Sequence, residues 1–350
     1  MKIPGKSKNA IGLDIGSNSI KLAKLGQKGD TFELRSIGYR EISPEAMVAS
    51  EIKDREAIIF DLQNLIDQYE PKAKDVVVSI EGHGIITDKI NIDKKSGAEA
   101  EQAILFEAEQ RSPFDVEDVT MDFHIINVNE ETNKMDVLLV AARNEYLRSY
   151  LSIITDAGLN PVIVDADSLA ILNAFEINYE VDPHRVTALV NVGFDITNVT
   201  FINNGLYHST RDVTGGARMI YESVQREFRL NQDLAMKVLK GEMASSIDQD
   251  LLKATLVTST DELLSGLEIA FSYFKSSAKV SDIDWVLLSG GGSLIPHFPE
   301  LLQSRLGTSV EIANPLRNIE YDPTLFTGMQ IERTAPIFMV AIGLAARRIK

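Results

Sequence analysis

Three glycine-containing turns, each directly after a strand-like apolar run, are the parts of this sequence best suited to chemistry. They lie at residues 16–19, 193–195 and 289–293. Glycine lets the backbone approach a phosphate group closely and point several amide hydrogens at it. Each turn alone is more simply explained as a hairpin that needs a positive φ angle. Three in one chain, two of them inside similar meanders, favour a nucleotide site.

An aspartate, Asp14, stands near the end of the first apolar run. A buried carboxylate is costly unless it is paired or faces a cation, and Mg²⁺ takes oxygen ligands. Asp14 is therefore predicted to hold a Mg²⁺-bound water beside the phosphates, the alternative being an acid that caps the following turn.

No residue is assigned as catalytic. The five histidines are scattered, and the Walker, dinucleotide and nucleophile-elbow glycine motifs do not occur.

The strand-like runs around the first two turns repeat within the chain. They lie at residues 10–15, 20–25 and 31–40 in the first copy, and at 188–192, 198–202 and 205–210 in the second. Asp14 and Asn191 occupy equivalent positions in the two copies. Two similar β-meanders half a chain apart predict a duplicated α/β domain.

Residues 85–158 have a pattern of their own, typical of an insertion. Its predicted elements are a strand at 85–92, a helix at 98–111, strands at 120–128 and 135–142, and a helix at 144–157. Outside it, helices are predicted at 54–69, 168–178, 216–229, 233–240, 260–277, 296–306 and 337–348, and strands at 76–80, 162–164 and 285–288. The predicted domains are a first domain of residues 1–84, 159–186 and 335–350, the inserted subdomain 85–158, and a second domain 187–334 with a helical part at about 217–282.

The composition excludes several classes of protein. The 350 residues carry 35 Lys and Arg against 51 Asp and Glu, a net charge of −16, which repels a phosphate backbone and argues against nucleic-acid binding. Cysteine is absent, which excludes disulfides, thiolate nucleophiles and Cys-ligated metals. Residues 1–9 lack the apolar stretch of a signal peptide, and the apolar tract at 335–346 is too short to span a bilayer. A cytoplasmic protein is expected.

The motifs, taken in order, resemble those of the actin-like ATPase superfamily. Residues 13–21 are similar to its first phosphate loop and residues 190–197 to its second. Residues 214–216 are similar to the turn before the helix beside the nucleotide, and residues 288–296 to its adenosine motif. Residues 165–175 and 335–344 resemble the two helices that connect its halves. This resemblance implies an actin-like fold of duplicated RNase H-like domains.

Within that superfamily the whole chain resembles the PilM family of type IV pilus assembly. The segments that carry the resemblance are residues 106–114 with 122–123, in a small subdomain that actin lacks, and residues 140–143 and 156–161. Membership of this family would imply a nucleotide-binding scaffold that serves twitching motility. A partner would hold this scaffold at the inner face of the cytoplasmic membrane. Its implied partners are the cytoplasmic N-terminal tail of a PilN-like bitopic membrane protein, bound beside the inserted subdomain, and the pilus motor ATPases.

The resemblance also implies a cofactor, ATP or ADP with Mg²⁺, and a set of binding residues. The positions that match the family's motifs are Asp14 (to Mg²⁺ through water), Gly16, Ser17, Asn18, Ser19, Lys21, Asn191, Gly193, Phe194, Asp195, Thr197, Gly215, Gly216, Lys237, Gly290, Gly291, Gly292 and Ser293.

Two departures from the family's pattern bear on activity. Asn191 stands where the second phosphate loop usually carries an aspartate, so one of two carboxylates that organise Mg²⁺ and water is neutral and little or no hydrolysis is expected. Leu234 replaces the acid of a Glu-x-x-Lys pattern that ends at Lys237, which predicts weaker contact with the ribose or base.

Two other functions remain open for the same fold. One is an active ATPase or sugar-kinase-like phosphotransferase, which needs a carboxylate base that the sequence does not identify. The other is the cell-division protein FtsA, whose linker and amphipathic membrane helix have no counterpart before Lys350.

Overall fold

The computed structural model describes residues 10–28, 31–111, 115–243, 245–326 and 330–347. The N-terminal stretch 1–9, residues 112–114 of the PilM-like segment and residues 348–350 lie outside the described residues. The strands are β1 (Ile11–Ile15), β2 (Ser19–Lys28), β3 (Thr31–Glu41), β4 (Met47–Val48), β5 (Glu51–Ile52), β6 (Asp75–Ile80), β7 (Ile85–Asp93), β8 (Val119–Asn129), β9 (Lys134–Arg143), β10 (Asn160–Ala166), β11 (Thr187–Val192), β12 (Ile196–Asn203), β13 (Leu206–Thr214), β14 (Trp285–Ser289), β15 (Val310–Ile312) and β16 (Ile319–Glu320).

The helices fill the spaces between and around the sheets. They are α1 (Arg55–Tyr69), α2 (Gly97–Arg111), α3 (Asn144–Asp156), α4 (Asp167–Asn178), α5 (Ala217–Phe228), α6 (Gln232–Leu239), α7 (Gln249–Ser259), α8 (Asp261–Ala278), α9 (Phe298–Leu306), α10 (Ile331–Thr334) and α11 (Met339–Ala346). Among the described residues, no helix is both long and apolar enough to cross a membrane.

Two sheets share one topology, which confirms the predicted duplication. Their strand orders are β10-β6-β1-β2-β3-β16 and β13-β12-β11-β14-β15. In each sheet an antiparallel meander, β1–β3 or β11–β13, has its first strand parallel to a later strand, β6 or β14. Asp14 pairs with Lys21 across β1 and β2, and Asn191 pairs with Asn198 at the same offset in β11 and β12.

Helices α4 and α11 form a layer between these two sheets. One apolar core joins Ala23 and Leu25 of the first sheet, the inner faces of both helices, and Leu189 and Leu287 of the second sheet. The approach is close enough to involve backbone. A Cβ placed on Gly343 of α11 would lie 1.7 Å from the carbonyl oxygen of Ala170 in α4. The spacing of the two sheets is therefore set by a contact that only glycine permits.

We call the six-stranded sheet with α1 and α3 the first lobe, and the five-stranded sheet with α5–α9 the second lobe. The inserted unit is the three-stranded sheet β7-β9-β8 with α2. Its small core places Ile104 and Ala108 of α2 against Val137 and Leu139 of β9.

Helix α3 differs from the expectation that it belongs to the insertion. It buries Tyr150, Ile153 and Ile154 in the core that α1 forms with the first sheet. The chain therefore leaves the inserted unit at the end of β9. The division into domains is otherwise not tested and stays a prediction.

Some short or weakly patterned elements were missing from the sequence analysis. Helix α7 has a sound N-cap, Asp248, which accepts from the amides of Asp250 and Leu251, but it buries only Leu252 and Leu256. So sparse an apolar stripe gives little helical periodicity. The β4–β5 hairpin has two residues in each strand, too few for alternation to show.

The contact between α4 and α11 generates a stability prediction. Replacing Gly343 with alanine should lower the free energy of unfolding by about 1–3 kcal/mol, because the helices must move apart, against a gain of at most ~1 kcal/mol in helix propensity. Urea unfolding followed by circular dichroism measures this. The matched control is Gly291→Ala, whose Cβ would have no heavy atom within 4 Å and should leave the midpoint unchanged. Equal midpoints for the two variants would contradict the packing argument.

Candidate functional site

One large cavity lies where the two lobes meet. Its volume is about 1090 Å³ and its lining includes Asp14 and Lys21 of the first lobe and Asn191 and Gly290 of the second. Strands β1, β6 and β10 run parallel, as do β11 and β14. The cavity lies at their carboxyl ends, the edge at which open α/β sheets usually bind ligands.

The first glycine turn forms one wall of the cavity. The amide of Gly16 donates to the carbonyl of Ser19 at 3.1 Å, which closes the turn between β1 and β2. The hydroxyl of Ser17 is buried in this turn and has no hydrogen-bond partner among the described residues. An unpartnered buried hydroxyl is costly in a folded protein, so a ligand oxygen next to Ser17 would be stabilising.

A cation stands beside the same turn. The ammonium of Lys21 lies 3.1 Å from Oδ2 of Asp14, its neighbour across the β1–β2 ladder. It is also 3.1 Å from the position that a Cβ on Gly16 would take. The first turn therefore combines the Ser17 hydroxyl with a positive charge, which suits an anionic group.

The second and third glycine turns form the opposite wall. Asn191 is the last residue but one of β11 and accepts a hydrogen bond from the hydroxyl of Ser289 at 3.0 Å, which joins the two turns. Gly290 has a φ of +83° and its Cβ would lie 2.4 Å from the carbonyl oxygen of Val192, whereas a Cβ on Gly291 would meet nothing within 4 Å. Gly291 is therefore the position in this turn that leaves open space on the cavity side.

Three carboxylates lie close together on the first-lobe side. Asp14, Glu81 and Asp167 all line the cavity. Burial, and then the charge of Asp14, raises the pKa of Asp167 from 3.8 to about 7. Burial, and then the charges of Asp167 and Asp14, raises the pKa of Glu81 well above its usual value. Asp167 is therefore partly protonated near neutral pH.

The sequence analysis missed Glu81 and Asp167, although a signal for both was present. Glu81 directly follows β6 and Asp167 directly follows β10. Because β1, β6 and β10 are parallel neighbours, residues just beyond their carboxyl ends must meet at one edge. Acids that follow strand-like runs could therefore have indicated that Glu81 and Asp167 lie together at this edge.

The residues predicted to bind nucleotide divide into two groups. Those that line the cavity are Asp14, Gly16, Ser17, Asn18, Ser19, Lys21, Asn191, Gly193, Phe194, Gly290 and Gly291. Those outside its lining are Asp195, Thr197, Gly215, Gly216, Lys237, Gly292 and Ser293. A direct nucleotide contact by any member of either set stays a prediction.

Several residues outside the lining support the turns that face the cavity. The hydroxyl of Thr197 donates to the carbonyl of Gly215 at 2.9 Å, and that of Ser293 donates to the carbonyl of Gly290 at 2.6 Å. A Cβ on Gly216 would lie 2.5 Å from the carbonyl oxygen of Gly193. A Cβ on Gly292 would lie 2.2 Å from the side chain of Val192. These residues give the loops their shape.

Near the end of α6, Lys240 rather than the predicted Lys237 lies in the cavity lining, and a nucleotide contact by Lys237 stays a prediction. Lys237 is exposed and Lys240, just past the end of α6, lines the cavity. Lys240 forms an ion pair across the cleft with Glu41 of β3. The lysine at the predicted position lies on the solvent face of the helix because Ala235, Val238 and Leu239 are its buried residues.

The described part of the chain contains no group of three or more His, Asp or Glu side chains arranged to hold a metal ion. A contact of Asp14 with Mg²⁺ through water stays a prediction, as does slow turnover caused by the neutral Asn191.

Comparison with known proteins gives a family and a fold. A family profile described as "Type IV pilus assembly protein PilM" matches residues 12–349. Among solved structures, a PilM-PilN type IV pilus biogenesis complex matches with a TM-score of 0.85 at 24% identity, over 99% of this chain and 100% of that one. EutJ, an ethanolamine utilization protein from Carboxydothermus hydrogenoformans, matches with a TM-score of 0.52 at 13% identity, over 99% of this chain and 92% of that one.

MreB5 of Spiroplasma citri, solved with ADP, matches with a TM-score of 0.51 at 11% identity, over 97% of this chain and 95% of that one. These likenesses confirm the actin-like fold expected from the sequence.

The raised pKa of Asp167 generates a pH prediction. Because the folded-state pKa of about 7 exceeds the ordinary value of 3.8, the folded protein keeps this proton longer than the unfolded chain. The contribution of this proton to the free energy of unfolding is fully present below about pH 4 and is lost as the pH rises through 7. Relative to wild type, Asp167→Asn should gain roughly 2 kcal/mol in free energy of unfolding between pH 5 and 7.5. Urea titrations measure this, and parallel pH curves would contradict it.

Proposed function

This chain belongs to the family of the type IV pilus assembly protein PilM, and we propose that it is a nucleotide-binding scaffold that holds the cytoplasmic tail of a PilN-like membrane protein. The observation that carries the nucleotide part is the meeting of three glycine turns around one cavity, with the unpartnered hydroxyl of Ser17 in its wall. The second part is supported by the likeness to a solved PilM-PilN complex.

The phosphates of ATP or ADP would lie between the first two turns. Lys21 offers a positive charge there, and the backbone of Gly16 and Gly193 allows close approach. A ligand that contacts both lobes at once suits this arrangement, because a phosphate chain can accept hydrogen bonds along its length. Ser17 would gain the partner that the protein itself does not give it.

The adenosine would lie against the third turn. Gly290 and Gly291 form its floor, and Met236 and Leu239 of α6 give an apolar wall. Apolar walls with a few placed polar groups are typical of small-molecule sites. Lys240 stands at this wall in place of the predicted Lys237, so its pairing with Glu41 would compete with any contact to the nucleotide.

Mg²⁺ would be held through water by Asp14, beside the phosphates. Bound there, it would neutralise phosphate charge and part of the charge that Asp14 and its neighbours Glu81 and Asp167 place in the cavity wall. The second lobe offers only the neutral amide of Asn191 at the equivalent position. We therefore assign binding, rather than rapid hydrolysis, as the role of this site.

The partner would lie in the groove between the inserted unit and the first lobe. Each of these units exposes a large apolar side chain: Phe106 on α2 is 61% exposed and Phe60 on α1 is 62% exposed. Leu105 is also exposed beside Phe106. A short, partly apolar peptide tail would cover such residues in a peptide-in-groove mode.

The site of action proposed is the cytoplasmic face of the inner membrane, reached through the partner. The net charge of −16 disfavours direct attraction to anionic lipid and to nucleic acid. The pilus motor ATPases are further candidate partners by family membership alone.

Ser17 provides the first test of nucleotide binding. Ser17→Ala should weaken Mg-ADP binding about tenfold to a hundredfold, because a hydrogen bond to a charged group is worth about 1.5–3 kcal/mol. Isothermal titration calorimetry measures the affinity. Thermal stability should not fall, since no residue that the structure describes forms a hydrogen bond with this hydroxyl. Tyr150→Phe is the control, because it removes a buried unpartnered hydroxyl outside the cavity lining.

Gly291 adds a steric series to the same titration. Gly291→Ala should change the affinity little, and Gly291→Leu should abolish binding while the protein stays folded, because its side chain has open space to enter. Full affinity in Gly291→Leu would place the nucleotide elsewhere, and no affinity in the wild type would reject the nucleotide proposal.

The partner proposal is tested with a synthetic peptide of the cytoplasmic tail of the PilN-like protein from the same genome. Phe106→Ser and Phe60→Ser should each weaken binding about 30-fold, the usual effect of losing a hot-spot aromatic. Ile269→Ser is the control, because Ile269 is 71% exposed on α8 of the second lobe. Fluorescence anisotropy measures the affinity. Equal affinities for all three variants would reject the groove.

A further inference from the structure

The turn of the β4–β5 hairpin has the left-handed form that two-residue hairpins favour, but Ala and Ser occupy it where Asn, Asp or Gly is usual. Val48 pairs with Glu51, so Ala49 and Ser50 alone make the turn, with φ angles of +50° and +63°. A left-handed conformation costs a residue with a side chain roughly 1–2 kcal/mol. Such a turn persists only where its surroundings hold it in place, so its contacts decide whether it keeps this shape.

The second lobe provides the first of these contacts. The amide of Ala49 donates to Oδ2 of Asp195 at 2.6 Å. Arg218 forms an ion pair with the same carboxylate, and its guanidinium donates to the carbonyls of Pro44 at 2.9 Å and Met47 at 3.2 Å. Asp195 directly follows Phe194, which lines the nucleotide cavity. The second glycine turn, at residues 193–195, thus holds the hairpin from outside the cavity.

The wall of the cavity provides the second contact. The hydroxyl of Ser50, which is 3% exposed, donates to Oε1 of Glu81 at 3.3 Å. Glu81 lines the cavity. A Cβ on the next residue, Gly82, would lie 2.9 Å from Ile196 of the second lobe and 3.1 Å from the Ser50 hydroxyl. The turn and the second lobe are therefore in close contact at Gly82, with no room for a side chain there.

The base of the inserted unit provides the third contact. Tyr146 lies in the first turn of α3, just after β9 leaves that unit, and its hydroxyl is within hydrogen-bond distance of the carbonyls of Ser50 (3.3 Å) and Glu81 (3.4 Å). Its ring covers Gly84, where a Cβ would lie 2.2 Å away. β7 begins at the following residue, so both crossings of the chain into the inserted unit meet this turn.

We propose that the Ala49–Ser50 turn couples occupancy of the nucleotide cavity to the order of the inserted unit. A nucleotide bound to both phosphate turns would fix Asp195 relative to the first lobe and favour the docked, left-handed hairpin. Without it, the hairpin can release Asp195 and relax to ordinary φ angles, and Tyr146 loses its acceptor. Each ligand shifts the balance by its different affinity for the two states.

Reciprocity follows from the same linkage. Suppose that a ligand on the inserted unit favours the docked hairpin. Nucleotide then raises the affinity for this ligand by some factor, and this ligand must raise the affinity for nucleotide by the same factor. The inference rests on the proposed nucleotide site, but it does not depend on which peptide the inserted unit binds.

The test is hydrogen–deuterium exchange of the full-length protein with and without saturating Mg-ADP, read over residues 85–143. In the wild type, nucleotide should slow exchange in β7 and β9 at least about fivefold, the lower end of usual coupling. Ser50→Ala and Tyr146→Phe should remove this response while their Mg-ADP affinities, measured by calorimetry, stay within about twofold of wild type.

The matched control is Tyr150→Phe. Tyr150 lies on the same helix, its ring 6.4 Å from that of Tyr146, but its hydroxyl has no hydrogen-bond partner, so this variant should keep the full response. Unchanged exchange in a wild type that binds nucleotide, or a full response in both hairpin variants, would overturn the coupling alone. Absence of nucleotide binding would overturn the proposed function and the coupling with it.

Discussion

The backbone contact between the two connecting helices is the constraint on which the site depends. Gly343 of α11 lies against the carbonyl of Ala170 in α4, and a Cβ on Gly12 of β1 would lie 2.1 Å from the carbonyl oxygen of Ala341 in α11. These contacts fix how near the two sheets approach one another. Since the carboxyl ends of the parallel strands in both sheets point to one cleft, that distance also sets the width of the cavity and decides which groups share it.

The cavity is electrostatically uneven as a result. Its first-lobe wall brings Asp14, Glu81 and Asp167 together beside Lys21, whereas the second-lobe position equivalent to Asp14 carries the amide of Asn191. Buried acids in such company keep protons or attract a cation. A divalent cation that arrives with a phosphate chain would supply the missing positive charge on one side, and the glycine turns would supply neutral donors on the other.

Sequence reasoning reached the fold because the strongest patterns are local. The repeated meanders, the glycine turns and most helices depend on the periodicity of neighbouring residues, and they lie within a few residues of their predicted bounds. The roles of Asp195 and Lys240 could not be reached this way. Asp195 pairs with Arg218 and a hairpin some 146 residues away, and whether Lys237 or Lys240 faces the cavity depends on which face of α6 is buried. Such facts arise only when the lobes are packed together.

The position of α11 in the chain has a consequence for biosynthesis. The strands that α11 covers, β1 and β2, leave the ribosome well before α11, which lies about 300 residues later. At roughly 5–20 residues per second, the nascent first lobe must wait some 15–60 s with Ala23 and Leu25 uncovered on the face that α11 will occupy. The second lobe and the inserted unit carry separate cores and can form during that interval. We therefore expect the first sheet to complete its core only after α11 has been synthesised, and the unfinished sheet to be the part that a chaperone must shield.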